Sequence, residues 1–425
     1  MKKIKISTKT RGMVSKNMNK LKKINHRDKL NHCILSDFAG RIVGQSMFQI
    51  LENAKDLERR GKHLIHFEIG DSHLEMPQEV KDSAIAALKS NRTHYGSSYG
   101  EYPLRAAIQK TVAEDFGFTP TLAQIVVGSG ANPFIFYLMA VLMNPGEEVI
   151  LANPTFVTYD AVLNMLKIKK ISVPVNHKDN FRFNPKEISK RITKKTRAVI
   201  INSPANPTGA VYSKSDLTKI YQLAKKHNLY IISDEIYSHL VYKGKHFSIG
   251  TEDKCLERVI VTNGFSKPFA MTGWRVGYAV GPEKIIEKVA LLSQTIVSCV
   301  PPFLQDACIT ALEHRYEFAK QYFTEYKKLR NVACKELGEV KQFSFAKPKG
   351  AFYLMLDVSK TGLNGDEFTK HAMNFGVVVC PGSGFGSEGK NYIRICYANT
   401  KENLLDGCRR LRQAAENINN YDITE

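Results

Sequence analysis

Residues 263–275 read Asn263-Gly264-Phe265-Ser266-Lys267-Pro268-Phe269-Ala270-Met271-Thr272-Gly273-Trp274-Arg275, directly after the apolar run Val259-Ile260-Val261. A lysine just past a strand-like run, with an arginine eight residues on, supplies an amine that can capture an aldehyde and a planar cation that can hold a phosphate. Other stretches upstream have the same layout. Ser233-Asp234-Glu235-Ile236-Tyr237 follows Tyr230-Ile231-Ile232, Ser203-Pro204-Ala205-Asn206-Pro207-Thr208-Gly209 follows the apolar run 198–201, and Gly128-Ser129-Gly130-Ala131 follows Ile125-Val126-Val127. Polar motifs at the ends of four apolar runs mark an open α/β sheet, in which ligands sit beyond the carboxyl ends of the strands.

Working outward, further apolar runs at 149–151, 171–175 and 276–280 alternate with helical stretches between about residues 80 and 280. That alternation predicts an α/β fold with a mostly parallel, helix-covered sheet. Residues 45–59 carry Met47, Ile50, Leu51, Ala54 and Leu57 at helical spacing and stop at Gly61, which predicts an amphipathic helix, followed by a short strand over 63–69. A long helix is expected over 313–337, and strands at 351–356, 377–379 and 392–396 suit a smaller α+β domain. The expected division is a basic, disordered extension over 1–40, a segment 41–79 packing on the small domain, a large domain 80–312 and a small C-terminal domain 313–425.

The 425 residues are 43% apolar, enough for a large core. The longest apolar run, 134–143, is far shorter than the roughly 20 residues that span a bilayer and reads as a buried helix. Eight cysteines form no C-x-x-C pair and no His/Cys ligand spacing, so neither a metal site nor a disulfide framework is indicated. A cytoplasmic, reducing setting fits that usage. The net charge of +20 is concentrated: residues 1–30 hold eleven Lys/Arg and one acidic residue. That tail has no aromatic residues to stack on bases and no apolar segment for secretion, so no nucleic-acid or membrane partner is expected. A basic, Ser/Thr-containing start leaves organellar import open, although Lys outnumbers Arg in it.

The motifs Asn206-Pro207-Thr208-Gly209, Ser233-Asp234-Glu235-Ile236-Tyr237 and Ser266-Lys267-x-x-Ala270-Met271-Thr272-Gly273-Trp274-Arg275, in this order, resemble those of the class I aminotransferases, the aspartate aminotransferase superfamily of pyridoxal-phosphate (PLP) fold type I. The likeness extends over about residues 40–412. It implies that Lys267 forms the Schiff base with PLP and shuttles the substrate's proton. It implies that Asp234 pairs with the pyridine nitrogen, which makes the ring an electron sink, and that Tyr237 and Asn206 hydrogen-bond the ring oxygen. Ser129, Gly130 and Ala131 open a helix and are expected to cradle the phosphate, with Arg275 and Ser266 adding contacts. The family often has serine three residues before the lysine; here that place is Gly264. Phe156 matches the aromatic residue that stacks on the ring. Tyr95 resembles the tyrosine that reaches the neighbouring subunit's cofactor, which implies a homodimer. Arg394, on the apolar strand 392–396, is expected to bind the substrate α-carboxylate together with Asn206, and Gly70 to let its backbone approach the same group.

The resemblance therefore implies a PLP-dependent aminotransferase that moves an amino group between an amino acid, glutamate or aspartate as donor, and a 2-oxo acid by a ping-pong mechanism. Specificity is less legible. The family's Gly-Glu-Pro-Asp-Phe-Asp-x-Pro run is replaced here by Gly70-Asp71-Ser72-His73-Leu74-Glu75-Met76-Pro77, and the lysine that bacterial aspartate-specific members place at Gly130 is missing. The same constellation also serves PLP lyases, since a fold does not choose a chemistry. A DNA-bound regulator of this fold would need a helix-turn-helix segment, and residues 1–40 are too short to supply one.

Overall fold

The computed structural model describes residues 35–418, so most of the basic extension lies outside the described residues. The chain divides after Ile42 into two units. The described part of the first carries one 3-10 turn, Ala39–Arg41, with the Arg41 guanidinium over the Phe38 ring.

The second unit contains twelve strands among the described residues: β1 Ile65–His66, β2 Ile125–Gly128, β3 Glu148–Asn153, β4 Lys169–Pro174, β5 Thr196–Asn202, β6 Tyr230–Asp234, β7 Val259–Gly264, β8 Gly277–Val280, β9 Tyr353–Asp357, β10 Val377–Val378, β11 Cys380–Pro381 and β12 Tyr392–Cys396. Seven of them form one sheet in the order β2-β8-β7-β6-β5-β3-β4. Only β8 runs against its neighbours, pairing antiparallel with both β2 and β7. Its start at Gly277, two residues after Arg275, therefore lies on the edge where the other strands end.

Alternation along these strands decides why the sheet is covered on both faces. Val126, Ile200, Ile232 and Ile260 pack into one core with Phe134, Leu138 and Ile286 of the helices Asn132–Leu142 and Glu283–Val297. Their neighbours Val127, Val199, Ile231 and Val261 point the other way, into a core shared with the helices Tyr102–Phe116, Lys214–Lys226 and Pro302–Glu313. Strands buried on both faces read as continuous apolar runs, which is how they appear in the sequence.

A smaller antiparallel sheet, β11-β12-β9, places Arg394 opposite Met355 and Cys380. The helix Ser46–Arg59 sets Ala54 against Leu64 and Val378, while Met47 packs with Val157, Cys380 and Phe385. Beside it β1 pairs parallel with β10.

Three predicted elements differ in extent. The strand expected over 63–69 is ordered as a strand only at Ile65–His66, because the chain then turns to bring Glu68 O to the Arg394 guanidinium. The strand expected from 351 begins at Tyr353, since Ala351 takes a left-handed φ of +54° and gives its N–H to Leu240 O. The long helix starts at Arg315 after a break at His314 that separates it from Pro302–Glu313.

Candidate active site

The carboxyl ends of β2, β3, β5, β6 and β7 and the start of β8 meet at a cavity of about 520 Å³, which Arg394 of β12 also reaches. Each candidate side chain arrives by a short path from its strand: Asp234 ends β6, Lys267 lies three residues beyond β7, and Arg275 two residues before β8.

Lys267 is largely enclosed, and its Nζ donates to Gly70 O at 2.5 Å. Burial lowers its pKa to about 8, against the opposing charge of Asp71. Relative to an ordinary lysine, that shift enlarges the unprotonated, nucleophilic share at neutral pH. Asp234 is buried, and no Lys, Arg or His pairs with it among the described residues. Tyr159 Oη donates to its Oδ2 at 2.7 Å and the Ile236 N–H to its Oδ1 at 3.3 Å. Burial raises its pKa to about 6, and the Tyr159 hydrogen bond opposes that rise. A carboxylate in this state has an unfilled need for a cation.

Arg394 shows the converse. It is 1% exposed, it gives Nη1 to Asn206 Oδ1 at 3.1 Å and Nη2 to Glu68 O, and its buried Nε has no partner. The Tyr353 and Phe385 rings flank its guanidinium at 4.6 and 4.8 Å. No described carboxylate neutralises it, so an anionic ligand is what its position calls for.

Asn206 takes its place through its own N–H, bonded to Asn202 Oδ1 at 2.7 Å, and with its Oδ1 engaged by Arg394 its amide is set to donate into the cavity. Tyr237 shares a hydrogen bond with Tyr353 Oη at 2.8 Å, and burial pushes its phenol well above the usual range. Phe156 lines the cavity and meets Tyr159 edge-on with ring centres 5.7 Å apart.

Near Arg275 the cavity wall includes Ala131, Asn132 and Ser266, and the neighbouring Ser129 and Gly130 of the same loop lie just behind it in sequence. Gly130 faces Arg275: it has φ +95°, and a Cβ there would lie 2.4 Å from Arg275 Nη2. A side chain at that position would strain the left-handed backbone and require the Arg275 guanidinium to move. Arg275 donates to Ser266 Oγ at 3.3 Å and to Thr272 O at 3.0 Å. The glycine at 264 also has a steric reason, since a Cβ there would sit 2.9 Å from the Cα of Gly277, its partner on β8.

Gly70 lines the cavity and lies close to the Tyr353 phenol: a Cβ there would fall 1.9 Å from its Oη. Tyr95 does not join the cavity of its own chain and is 89% exposed. Sequence reasoning missed Tyr159, Tyr353, Asn132 and the helix start at Met47 and Phe48. Tyr159 had a signal, since it lies three residues after Phe156; Tyr353 has none, being one more aromatic residue in an apolar strand.

The family model "Aminotransferase class I and II" matches residues 62–411. The chain is 38% identical to the aspartate aminotransferase of Pyrococcus abyssi and 37% identical to aromatic-amino-acid aminotransferase 2 of Thermococcus litoralis. In both cases the match covers 84% of this chain and 93% of the relative. Among solved structures, a double mutant of the Thermus thermophilus aspartate aminotransferase superposes with a TM-score of 0.86 at 30% identity, covering 90% of this chain and 99% of that one.

Proposed function

The chain belongs to the class I and II aminotransferases, PLP-dependent enzymes of fold type I, and we propose that Lys267, Asp234 and Arg394 divide the work of transamination among the amine, the acid and the anion site of this one cavity. The observation that carries this reading is their complementary deficit: a buried carboxylate without a cation, a buried arginine without a carboxylate and a lysine with a lowered pKa line the same space. The residues fit PLP, whose chemistry when bound is an aldehyde carbon open to amines and a ring that takes up the electron pair left at a substrate's Cα.

In this reading Lys267 Nζ is the amine that meets that aldehyde, and once free it accepts the proton leaving the substrate's Cα. Asp234 holds the ring nitrogen protonated, and Tyr159 holds Asp234 in its ionised form. Asn206 and Tyr237 donate to the ring oxygen, Phe156 covers one ring face, and Arg275 with Ser266 and the loop Ser129, Gly130 and Ala131 binds the phosphate. Arg394 would hold the substrate α-carboxylate in two bonds and so order the reacting atoms. Glutamate or aspartate serves as amino donor and a 2-oxo acid as acceptor.

We also propose a homodimer in which Tyr95 completes the neighbouring cavity. In support, the Gly96 N–H donates to Cys299 Sγ, which brings the exposed Tyr95 beside the end of the helix Glu283–Val297, where Ile296 and Val297 are exposed as well. The cytoplasm is the compartment proposed from the cysteine usage, and no described helix is long and apolar enough to cross a membrane.

The test uses ¹⁵N-labelled glutamate or aspartate with a panel of 2-oxo acids and the purified holoenzyme. Label recovered in a new amino acid with no free ammonia is the expected result. Label released as ammonia would instead mark a lyase and overturn the reading.

A further inference from the structure

We propose that Tyr353 is a positioning residue for both halves of the cavity: its phenol sets the direction in which Tyr237 donates, and its ring face holds the Arg394 guanidinium. The proposal rests on the roles given above to Tyr237 and Arg394 and deepens them by naming the side chain that joins the two.

Tyr353 opens β9, the strand that pairs antiparallel with β12. Arg394 stands opposite Met355 in that ladder, so Tyr353 is its diagonal neighbour on the same face of the small sheet. The guanidinium carbon accordingly lies 4.6 Å from the centre of the Tyr353 ring. The hydroxyl at the other end of that ring meets Tyr237 Oη at 2.8 Å, and the two rings pack edge to face with centres 5.8 Å apart. Gly70 leaves room for the hydroxyl, since a Cβ there would lie 1.9 Å from Tyr353 Oη. Phe352 closes the group, edge-on to Tyr237 at 5.4 Å. Both tyrosines line the cavity, yet Tyr353 is only 1% and Tyr237 only 3% exposed, so their contacts are made within this chain's own core.

Proton bookkeeping gives the phenol its task. A phenol has one proton to donate and can accept as well. Burial pushes both phenols far above the usual range; the Arg394 cation opposes that rise, while Asp71 and the Cys396 thiol add to it for Tyr353 and Asp234 adds to it for Tyr237. Each hydroxyl therefore keeps its proton. Tyr237 can send its single proton into the cavity only if Tyr353 supplies the proton of the bond between them. A hydroxyl that receives a hydrogen bond is polarised by it and donates more strongly. Tyr353 thus both aims and strengthens the Tyr237 donor, while its ring face attracts the cation next to it.

The test separates the hydroxyl from the ring. In the purified holoenzyme the bound cofactor's absorbance is titrated with pH, a readout that needs no turnover, and KM for amino acids is measured alongside. Tyr237→Phe and Arg394→Ala serve as benchmarks. Without the Tyr237 donor, charge on the cofactor's ring oxygen is less stabilised and its proton is held to higher pH, so the absorbance midpoint should rise by about one pH unit. Tyr353→Phe removes the hydroxyl alone and should move the midpoint the same way by about 0.3 unit. Tyr353→Leu removes the ring as well, and its KM should exceed that of Tyr353→Phe by about fivefold. A wild-type midpoint in Tyr353→Phe beside a shifted one in Tyr237→Phe would overturn the proposal, and so would equal KM values in the Phe and Leu variants. Tyr353→Phe fills the same space and decides the first point even if Tyr353→Leu does not fold. If the benchmarks leave midpoint and KM unmoved, the roles of Tyr237 and Arg394 fail first and the proposal falls with them.

Discussion

The large sheet and the small sheet both send a charge into the same cavity, and they treat it in opposite ways. On the large sheet, burial works against ionisation: it lifts Asp234 to about 6 and lowers Lys267 to about 8, so both groups sit near their switching points. On the small sheet, the Arg394 guanidinium is held between ring faces and neutral acceptors. Groups whose protonation is adjustable suit a resident cofactor and a moving proton. A group whose charge is fixed suits a ligand that comes and goes.

The largest effect should come from the large sheet. Lys267→Ala is expected to lower kcat by about 10⁴-fold or more, since both proton transfer and the cofactor linkage depend on one amine. The variant should still bind PLP weakly through Arg275 and Asp234, as equilibrium dialysis would show. Measurable turnover would break the assignment. Asp234→Asn should follow, weakening cofactor binding by about 10²- to 10³-fold, the cost of leaving a buried cation without its partner.

The small sheet should respond differently. Arg394→Ala is predicted to raise KM for amino acids by about 10- to 100-fold while the cofactor's absorbance stays unchanged. If that variant loses cofactor instead, the division of labour between the sheets is misdrawn. A smaller effect is expected of Tyr159→Phe, which removes one hydrogen bond to a charged group and should weaken cofactor binding by roughly tenfold.

The comparison is sharpened further by pH. Asp234 has a folded pKa raised from 3.8 to about 6, so its contribution to stability is fully present below about pH 4 and is lost as pH rises through 6. Thermal melts of the cofactor-free protein should show a decline over that window, of order 3 kcal/mol at most. Asp234→Asn should flatten the decline, because the neutral amide does not ionise. A slope identical in the variant would mean that other groups set it.

How much of this was legible in the sequence follows the same divide. On the large sheet the candidate residues cluster at strand ends, Asp234 as the last residue of β6, Asn206 and Lys267 a few residues past β5 and β7, and Arg275 two before β8, so local reading could name them together with the fold that gathers them. Arg394 was legible as a charge on an apolar strand. Contacts made by distant segments were not: Tyr353 and Met47 reach the cavity only through tertiary packing, and nothing nearby in sequence marks them. The glycines at 130 and 264 first read as lost contacts, whereas the fold gives each a steric cause in its approach to Arg275 or Gly277. Asp71 read as a departure from the family's run, and its place beside Thr272 and Lys267 is set only by tertiary packing.

The central claim is that the amine just beyond β7 is the covalent anchor of the cavity. Borohydride reduction of the purified holoenzyme, followed by proteolysis and peptide mass spectrometry, addresses it directly. The account predicts that the cofactor's mass is fixed on the peptide carrying Lys267. Cofactor found on another lysine, or on none, would contradict it.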